Sequence, residues 1–373
     1  MRKLFAFATI ALLAAPVVRA QQQWRSEIGI QGGFVRVKPA GTGRNDHADL
    51  FDLPGFNVSP AIPSYATLFF IVPWKPKLAI EPSVAFSQLQ QTGSATLIDL
   101  GLRLDYALTA KFYAAAGLTA SHVNTSGTNT TPLGVLVGVG YRGHLVGPLN
   151  GRVEARVNLL KKTNDLNAQD IYGVLLGLST PLSGSATTPR RAGGGAPAAS
   201  RSGWSKVIGM AGGYSQLHTV GSSSADVTTL SFPGYGSGFS AFGSGPIVLP
   251  TTLFAIFPVG EKLAIEPGLD FHRVQSTGTT TSSTSLSARL DYAIHGGWYA
   301  AVGGNLQHFK TTGVSAASRT ALSVATGYRF HLVGGLGSRI DLSHTMWKAH
   351  DKAPITRPIN ATSIMWGVTL PLR

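Results

Sequence analysis

The sequence predicts an all-β chain: a transmembrane antiparallel up-and-down β-barrel built as two tandem eight-stranded barrels, with one sixteen-stranded barrel as the alternative. Three observations predict it. The chain is written twice, its segments alternate apolar and polar residues with period two, and its composition suits contact with an apolar solvent. The 373 residues include 45 glycines and no cysteine, and only 13% are charged. Mean hydropathy is +0.14. Without cysteine, disulfides, thiolate zinc sites, Fe–S clusters and cysteine nucleophiles are excluded. A net charge of +14 and a pI near 10.1 raise nucleic acid as a partner. So low a charge density on so apolar a chain speaks against it, and no nucleic acid is expected.

Arg2 and Lys3 precede an apolar run from Leu4 to Val18, and Val18-Arg19-Ala20 resembles a small-residue cleavage site. Residues 1–20 therefore read as a secretory signal peptide. Its three positive charges removed, +11 remains on the mature chain. No later run approaches the roughly 20 apolar residues of a spanning helix.

The repeat is explicit. Lys77-Leu78-Ala79-Ile80-Glu81-Pro82 returns at 262–267, and Arg103-Leu104-Asp105-Tyr106-Ala107 returns at 289–293. Gly140-Tyr141-Arg142 with His144-Leu145-Val146-Gly147 returns as Gly327-Tyr328-Arg329 with His331-Leu332-Val333-Gly334. Trp24 and Gly32-Gly33 match Trp204 and Gly212-Gly213. The offset stays between 180 and 187, which marks a tandem duplication. Residues 183–203, rich in Gly, Ala, Ser and Pro, lack either periodicity and read as a flexible linker. The copies are then 21–182 and 204–373.

Within each copy the alternation marks strands. Ile98, Leu100, Leu102, Leu104, Tyr106 and Leu108 alternate with Asp99, Gly101, Arg103, Asp105 and Ala107. Leu78, Ile80, Pro82, Val84 and Phe86 alternate with Ala79, Glu81, Ser83, Ala85 and Ser87. Successive side chains on a strand point to opposite faces, so each strand has one apolar face and one polar or small face. Copy one yields strands near 26–37, 64–73, 77–89, 96–108, 112–123, 133–143, 151–161 and 170–180. Each is about as long as a tilted strand crossing a bilayer. Short turns at 74–76, 109–111 and 144–150 alternate with longer polar connections at 38–63, 124–132 and 162–169; the short link at 90–95 departs from the alternation. Short turns on one side and long loops on the other characterise outer-membrane barrels. Tyr106, Phe112, Tyr141, Tyr292, Trp298 and Tyr328 fall on the apolar face beside the short turns, as an interfacial girdle would.

In these residues the chain resembles the bacterial eight-stranded outer-membrane barrel domains of the OmpA/OmpX/OmpW-like kind, present twice. The resemblance implies residence in a bacterial outer membrane, contact with its lipid, and insertion by the barrel-assembly machinery. Such barrels usually end in an aromatic residue; here Ile364, Trp366, Val368, Leu370 and Leu372 alternate and Arg373 follows.

With the apolar face toward lipid, the charged face lines the lumen. Copy one places Glu81, Arg103, Asp105, Arg142, Arg152, Glu154 and Arg156 there, and copy two Glu266, Arg289, Asp291, Arg329, Arg339 and Asp341. An eight-stranded interior is just wide enough for side chains to fill, so these are expected to pair into a plug. That points to a structural or surface-interaction protein. A small-solute channel or porin-like pore is the alternative, and a lipid-modifying enzyme a distant one. Ser121-His122 and Gln307-His308 occupy matching positions, but no acidic partner recurs in both copies, and His344 and His350 add none. Asp46 and Asp49 lie in a loop without a cofactor motif. The sequence thus names no catalytic residue, metal site or cofactor. Loop residues Lys38, Arg44, Lys161, Lys162, Lys348 and Lys352 suit anionic head groups, lipopolysaccharide included. No feature of the loops names a ligand outside the cell.

Overall fold

The computed structural model describes residues 24–40, 47–53, 67–90, 94–125, 128–146, 149–164, 166–182, 203–220, 227–232, 253–276, 279–333, 336–349 and 358–372. Residues 1–20, read from the sequence as a signal peptide, and all but the last residue of 183–203, read as a linker, lie outside them. Every regular element described is a β-strand. No helix among these residues is long and apolar enough to cross a membrane.

Copy one contributes β1 (Glu27–Pro39), β2 (Ala48–Leu53), β3 (Thr67–Lys75), β4 (Leu78–Gln90), β5 (Ser94–Ala107), β6 (Phe112–Thr125), β7 (Thr128–Thr130), β8 (Leu133–Val146), β9 (Leu149–Leu160) and β10 (Gln169–Pro181). Copy two contributes β11 (Val207–Thr219), β12 (Val227–Phe232), β13 (Leu253–Pro258), β14 (Leu263–Ser276), β15 (Thr279–His295), β16 (Trp298–Thr311), β17 (Val314–Val333), β18 (Leu336–Trp347) and β19 (Ile359–Pro371). All pairings are antiparallel. In copy one β1 pairs with β3, the chain continues through β4, β5, β6, β8 and β9 to β10, and β10 closes on β1 from Glu27↔Pro181 to Pro39↔Gln169. Copy two closes in the same way, with β11 against β19 from Val207↔Pro371 to Thr219↔Ile359. The chain forms two closed eight-stranded antiparallel barrels.

The alternation sets which face goes where. Leu102, Val139 and Ile364 point outward and are 57%, 56% and 53% exposed, whereas Asp105 and Asp291 point inward and are fully buried. Small inward residues leave room for long ones: a Cβ on Gly177 would lie 2.7 Å from Cγ of Arg152.

The loop side holds β2, which the sequence reading assigned to the polar connection 38–63, and its counterpart β12 in copy two. β2 pairs with the upper half of β1 (Gly33↔Asp52 to Val37↔Ala48), while its other edge pairs with β14 of the second copy (Phe271↔Leu53 to Ser276↔Ala48). β12 does the reverse, lying between β11 and β4 (Thr228↔Gln90 to Phe232↔Phe86). The two copies therefore close separately on the short-turn side, whereas on the loop side β2 and β12 bridge them into one continuous ring of sixteen strands. β1 changes partner from β3 to β2 at Gly33, and β11 from β13 to β12 at Gly213; both glycines have φ of +154°, which L side chains rarely adopt. On the short-turn side the barrels also touch through outward apolar residues. Ile28, Leu149 and Leu178 of the first pack with Ile208, Leu336, Val368 and Leu370 of the second.

Candidate functional site: two charge-lined lumens

Each lumen is built around one arginine held opposite a glutamate by strand register: Glu81↔Arg103 across β4 and β5, and Glu266↔Arg289 across β14 and β15. Arg103 reaches three carboxylates, with Nη2 to Glu81 Oε1 at 2.9 Å, Nε to Asp105 Oδ1 at 3.0 Å and Nη1 to Glu154 Oε1 at 2.7 Å. Arg152 Nη1 lies 2.6 Å from Glu81 Oε2, and Arg156 Nε 2.7 Å from Glu154 Oε1. Arg152 also donates to Gln31 Oε1, and Tyr113 donates its hydroxyl to Glu154 Oε2 at 2.6 Å.

Barrel two keeps the plan with fewer cations. Arg289 reaches Glu266 at 3.1 Å, Asp291 at 2.7 Å and Asp341 at 3.5 Å. Arg339 pairs with both Glu266 oxygens and, through Nε at 3.1 Å, with Asp341. Asp341, one methylene shorter than Glu154, leaves the Tyr299 hydroxyl without a hydrogen-bond partner among the described residues.

Arg142 and Arg329 lie at the short-turn edge of these networks, Arg142 with its Nη1 4.0 Å from Glu27 Oε1. The register sets Arg142 opposite Arg152 and Arg329 opposite Arg339, so like charges face each other. Each then stacks on its own ring: Arg142 over Trp24 at 4.2 Å, Arg152 over Phe69 at 3.6 Å, Arg329 over Trp204 at 3.6 Å and Arg339 over Phe254 at 3.7 Å. Such stacking offsets part of the cost of burying a cation. Trp24 and Trp204 fold under the short-turn mouths, each donating Nε1 at 3.0 Å to the carbonyl of Lys77 or Lys262. Edge-on contacts to Tyr113 and Tyr299 complete each cap.

Sequence reasoning registered the two tryptophans only as repeat markers. It also passed over Glu27, Gln31, Tyr113 and Phe69, which share the inward face. The signal was present in the parity: Glu27 and Gln31 alternate with Ile28 and Ile30, and Tyr113 follows the outward Phe112. A further inward arginine, Arg319, is buried on the loop side of barrel two between Phe309 and Trp347. It donates Nε and Nη2 to Gln307 Oε1 at 3.3 Å.

The six girdle residues project outward beside the short turns. Phe112 meets Tyr141 with centroids 5.2 Å apart, and Trp298 meets Tyr328 at 5.1 Å. Exposed Trp74 joins the same end with Lys75 over its ring. Ser121 is buried in the lumen while its neighbour His122 lies on the outer face, where Nδ1 meets Thr131 Oγ1 at 2.9 Å. His308 and His344 are likewise engaged with Ser318 and Thr362. Asp49 pairs with Arg36 at 2.6 Å; Asp46, Arg44, His350 and Lys352 lie outside the described residues. Among the described residues no His, Asp or Glu group gathers as metal ligands would.

Fold and lumen together define a double β-barrel with an apolar outer wall and networks of ion pairs inside. No family model and no curated protein matches the chain. Among solved structures it is similar to a CymD monoaromatic hydrocarbon channel (8% identity, 98% of this chain and 93% of that one, TM-score 0.31). It is also similar to OpdQ of Pseudomonas aeruginosa (12%, 94% and 98%, TM-score 0.32). A bacterial polysaccharide outer membrane secretin is a third (8%, 94% and 99%, TM-score 0.35).

Proposed function

We propose that the chain is an integral outer-membrane protein of bacteria whose two barrels are plugged by ion pairs and serve a structural or surface-interaction role. The observation that carries this reading is the pairing of opposite faces. Outward Leu, Val and Ile stand exposed along the strands of both barrels, while buried carboxylates and arginines close on one another inside. In water each such apolar side chain would forgo about 1.5–3 kcal/mol of burial; against lipid it does not. The turn-side aromatic girdle and closed strand pairing agree with a bilayer setting. So does the resemblance to small outer-membrane barrels. The long-loop side then faces outside the cell, and the barrel-assembly machinery inserts the chain. Lys161, Lys162 and Lys348 are exposed at the loop ends, and in this reading they meet anionic lipid or lipopolysaccharide. The reading is non-enzymatic: Ser121 and His122 face opposite sides of the wall and cannot form a nucleophile–base pair.

Planar-bilayer recording on the refolded protein tests the plug. The wild-type chain is expected to show no steady open level, and Arg103→Ala or Glu81→Ala to introduce current or lower the unfolding temperature. A steady, large wild-type conductance would overturn the plugged reading in favour of a pore. Unchanged melting and unchanged currents in both variants would remove Arg103 and Glu81 from it.

A further inference from the structure

Barrel one carries its own example of a bound carboxylate. At its short-turn mouth Glu27 is 3% exposed; its oxygens accept hydrogen bonds from Ser179 Oγ at 2.6 Å and Asn150 Nδ2 at 3.1 Å, and Arg142 Nη1 stands 4.0 Å away. Strand register identifies the equivalent residues in barrel two. Glu27 faces Pro181 as Val207 faces Pro371, so valine replaces the glutamate. His144 faces Asn150 as His331 faces Gly337, so glycine replaces the asparagine. Asn150 faces Ser179 as Gly337 faces Thr369, so a hydroxyl is retained.

The cation is retained as well. Arg329 keeps its place over Trp204, but among the described residues its buried Nε has no hydrogen-bond partner and no carboxylate lies within ion-pair distance. The space has grown. The mouth of barrel one holds a cavity of about 260 Å³, and that of barrel two one of about 860 Å³, lined among others by Trp204, Val207, Ile256, Arg329, Gly337 and Thr369. A partly desolvated cation without a carboxylate in direct contact is costly, and a receptor emptied of its own carboxylate accepts another of the same shape.

We infer that the short-turn mouth of barrel two binds the carboxylate of a small organic acid in the position that Glu27 fills in barrel one. Arg329 supplies the charge and Thr369 Oγ1 a donor. Val207, Ile256 and the Trp204 ring form an apolar wall for a short hydrocarbon body. The missing side chain at Gly337 leaves the entrance open, since even a Cβ there would come within 2.5 Å of Thr369 Oγ1.

Titration calorimetry on the full refolded chain in detergent, with benzoate, propionate and inorganic phosphate as probes, tests this. One saturable benzoate or propionate site per chain is expected, with phosphate weaker. Arg329→Gln should lower the affinity about tenfold or more, the loss of a charged hydrogen-bond partner, and Arg142→Gln should leave it unchanged. Val207→Glu should fill the site from within and abolish binding. The pair Glu27→Val with Asn150→Gly should add a second site in barrel one. Heat-modifiable gel mobility confirms that each variant is folded, and Arg329→Gln decides the matter where Val207→Glu is not. Absence of saturable binding to the wild-type chain, or undiminished binding in Arg329→Gln, would overturn the inference. Phosphate binding as tight as benzoate would overturn the carboxylate assignment.

Discussion

The two barrels are the same plan executed with different numbers of cations. Barrel one sets Arg103, Arg152 and Arg156 against Glu81, Asp105 and Glu154; barrel two sets Arg289 and Arg339 against Glu266, Asp291 and Asp341. Ser343 stands at the repeat position of Arg156. Glu81, Arg103, Asp105 and Arg152 return as Glu266, Arg289, Asp291 and Arg339, and the tryptophan beneath them is retained in both copies, whereas the rims have diverged further. At the turn side Val207 replaces Glu27. On the loop side Phe309, Arg319 and Trp347 stand where copy one has Val123, Pro132 and Leu160. The centre is under strict physical constraint because a buried charge that loses its partner costs several kcal/mol. At the rims fewer buried charges depend on one another, so residues there can change without unmaking the barrel.

This contrast can be broken by substitution. Removing Arg339 leaves Arg289 alone against three carboxylates, so Arg339→Ala should destabilise the chain by about 3–5 kcal/mol in urea unfolding. Arg152→Ala should cost less, because Arg103 still holds Glu81 at 2.9 Å and Arg156 still holds Glu154. Equal losses would mean that the extra cation of barrel one is idle. Gly33→Ala and Gly213→Ala should each cost about 1–3 kcal/mol and by similar amounts. A Cβ at either site would strike the carbonyl oxygen of Val174 or Ile364. Tyr113→Phe should cost about 1.5–3 kcal/mol, the worth of a hydrogen bond to a charged acceptor, as read from the same unfolding curves. Tyr299→Phe should be neutral or slightly stabilising, since its hydroxyl has no partner among the described residues; a loss matching that of Tyr113→Phe would show that the two lumens do not differ as described. The smallest effect is expected at the outer rim, where His122→Ala and His308→Ala should stay within about 0.5 kcal/mol and leave lipid A unaltered by mass analysis.

Much of this was legible in the residues, for physical reasons. Period-two alternation over ten or more residues identifies both a strand and its faces. The faces of Glu81, Arg103 and Asp105, and of Tyr106 and Tyr141, therefore follow from parity alone. The repeat then gives the second barrel from the first. What could not be read is partnership across the chain. Ala48–Leu53 is a short segment amid polar residues, and no local pattern tells that its free edge will be taken by β14 of the other copy. Nor does a sequence reveal that Arg142 and Arg329, forced by register opposite other arginines, will turn away onto tryptophans. Trp24 and Trp204 precede their strands, outside any alternation, so their role as caps had no periodic signal.

The central claim is that the duplicated chain closes twice, with strand ten returning to strand one rather than passing to strand eleven. Because the protein has no cysteine, introduced pairs report this without background. Phe34→Cys with Val174→Cys, and Tyr214→Cys with Ile364→Cys, occupy directly opposed positions across the two closures. Both pairs should form disulfides on oxidation of the refolded protein, and Val174→Cys with Tyr214→Cys should not. A Val174–Tyr214 cross-link, with the other two pairs remaining reduced, would instead establish a single sixteen-stranded barrel and contradict the account.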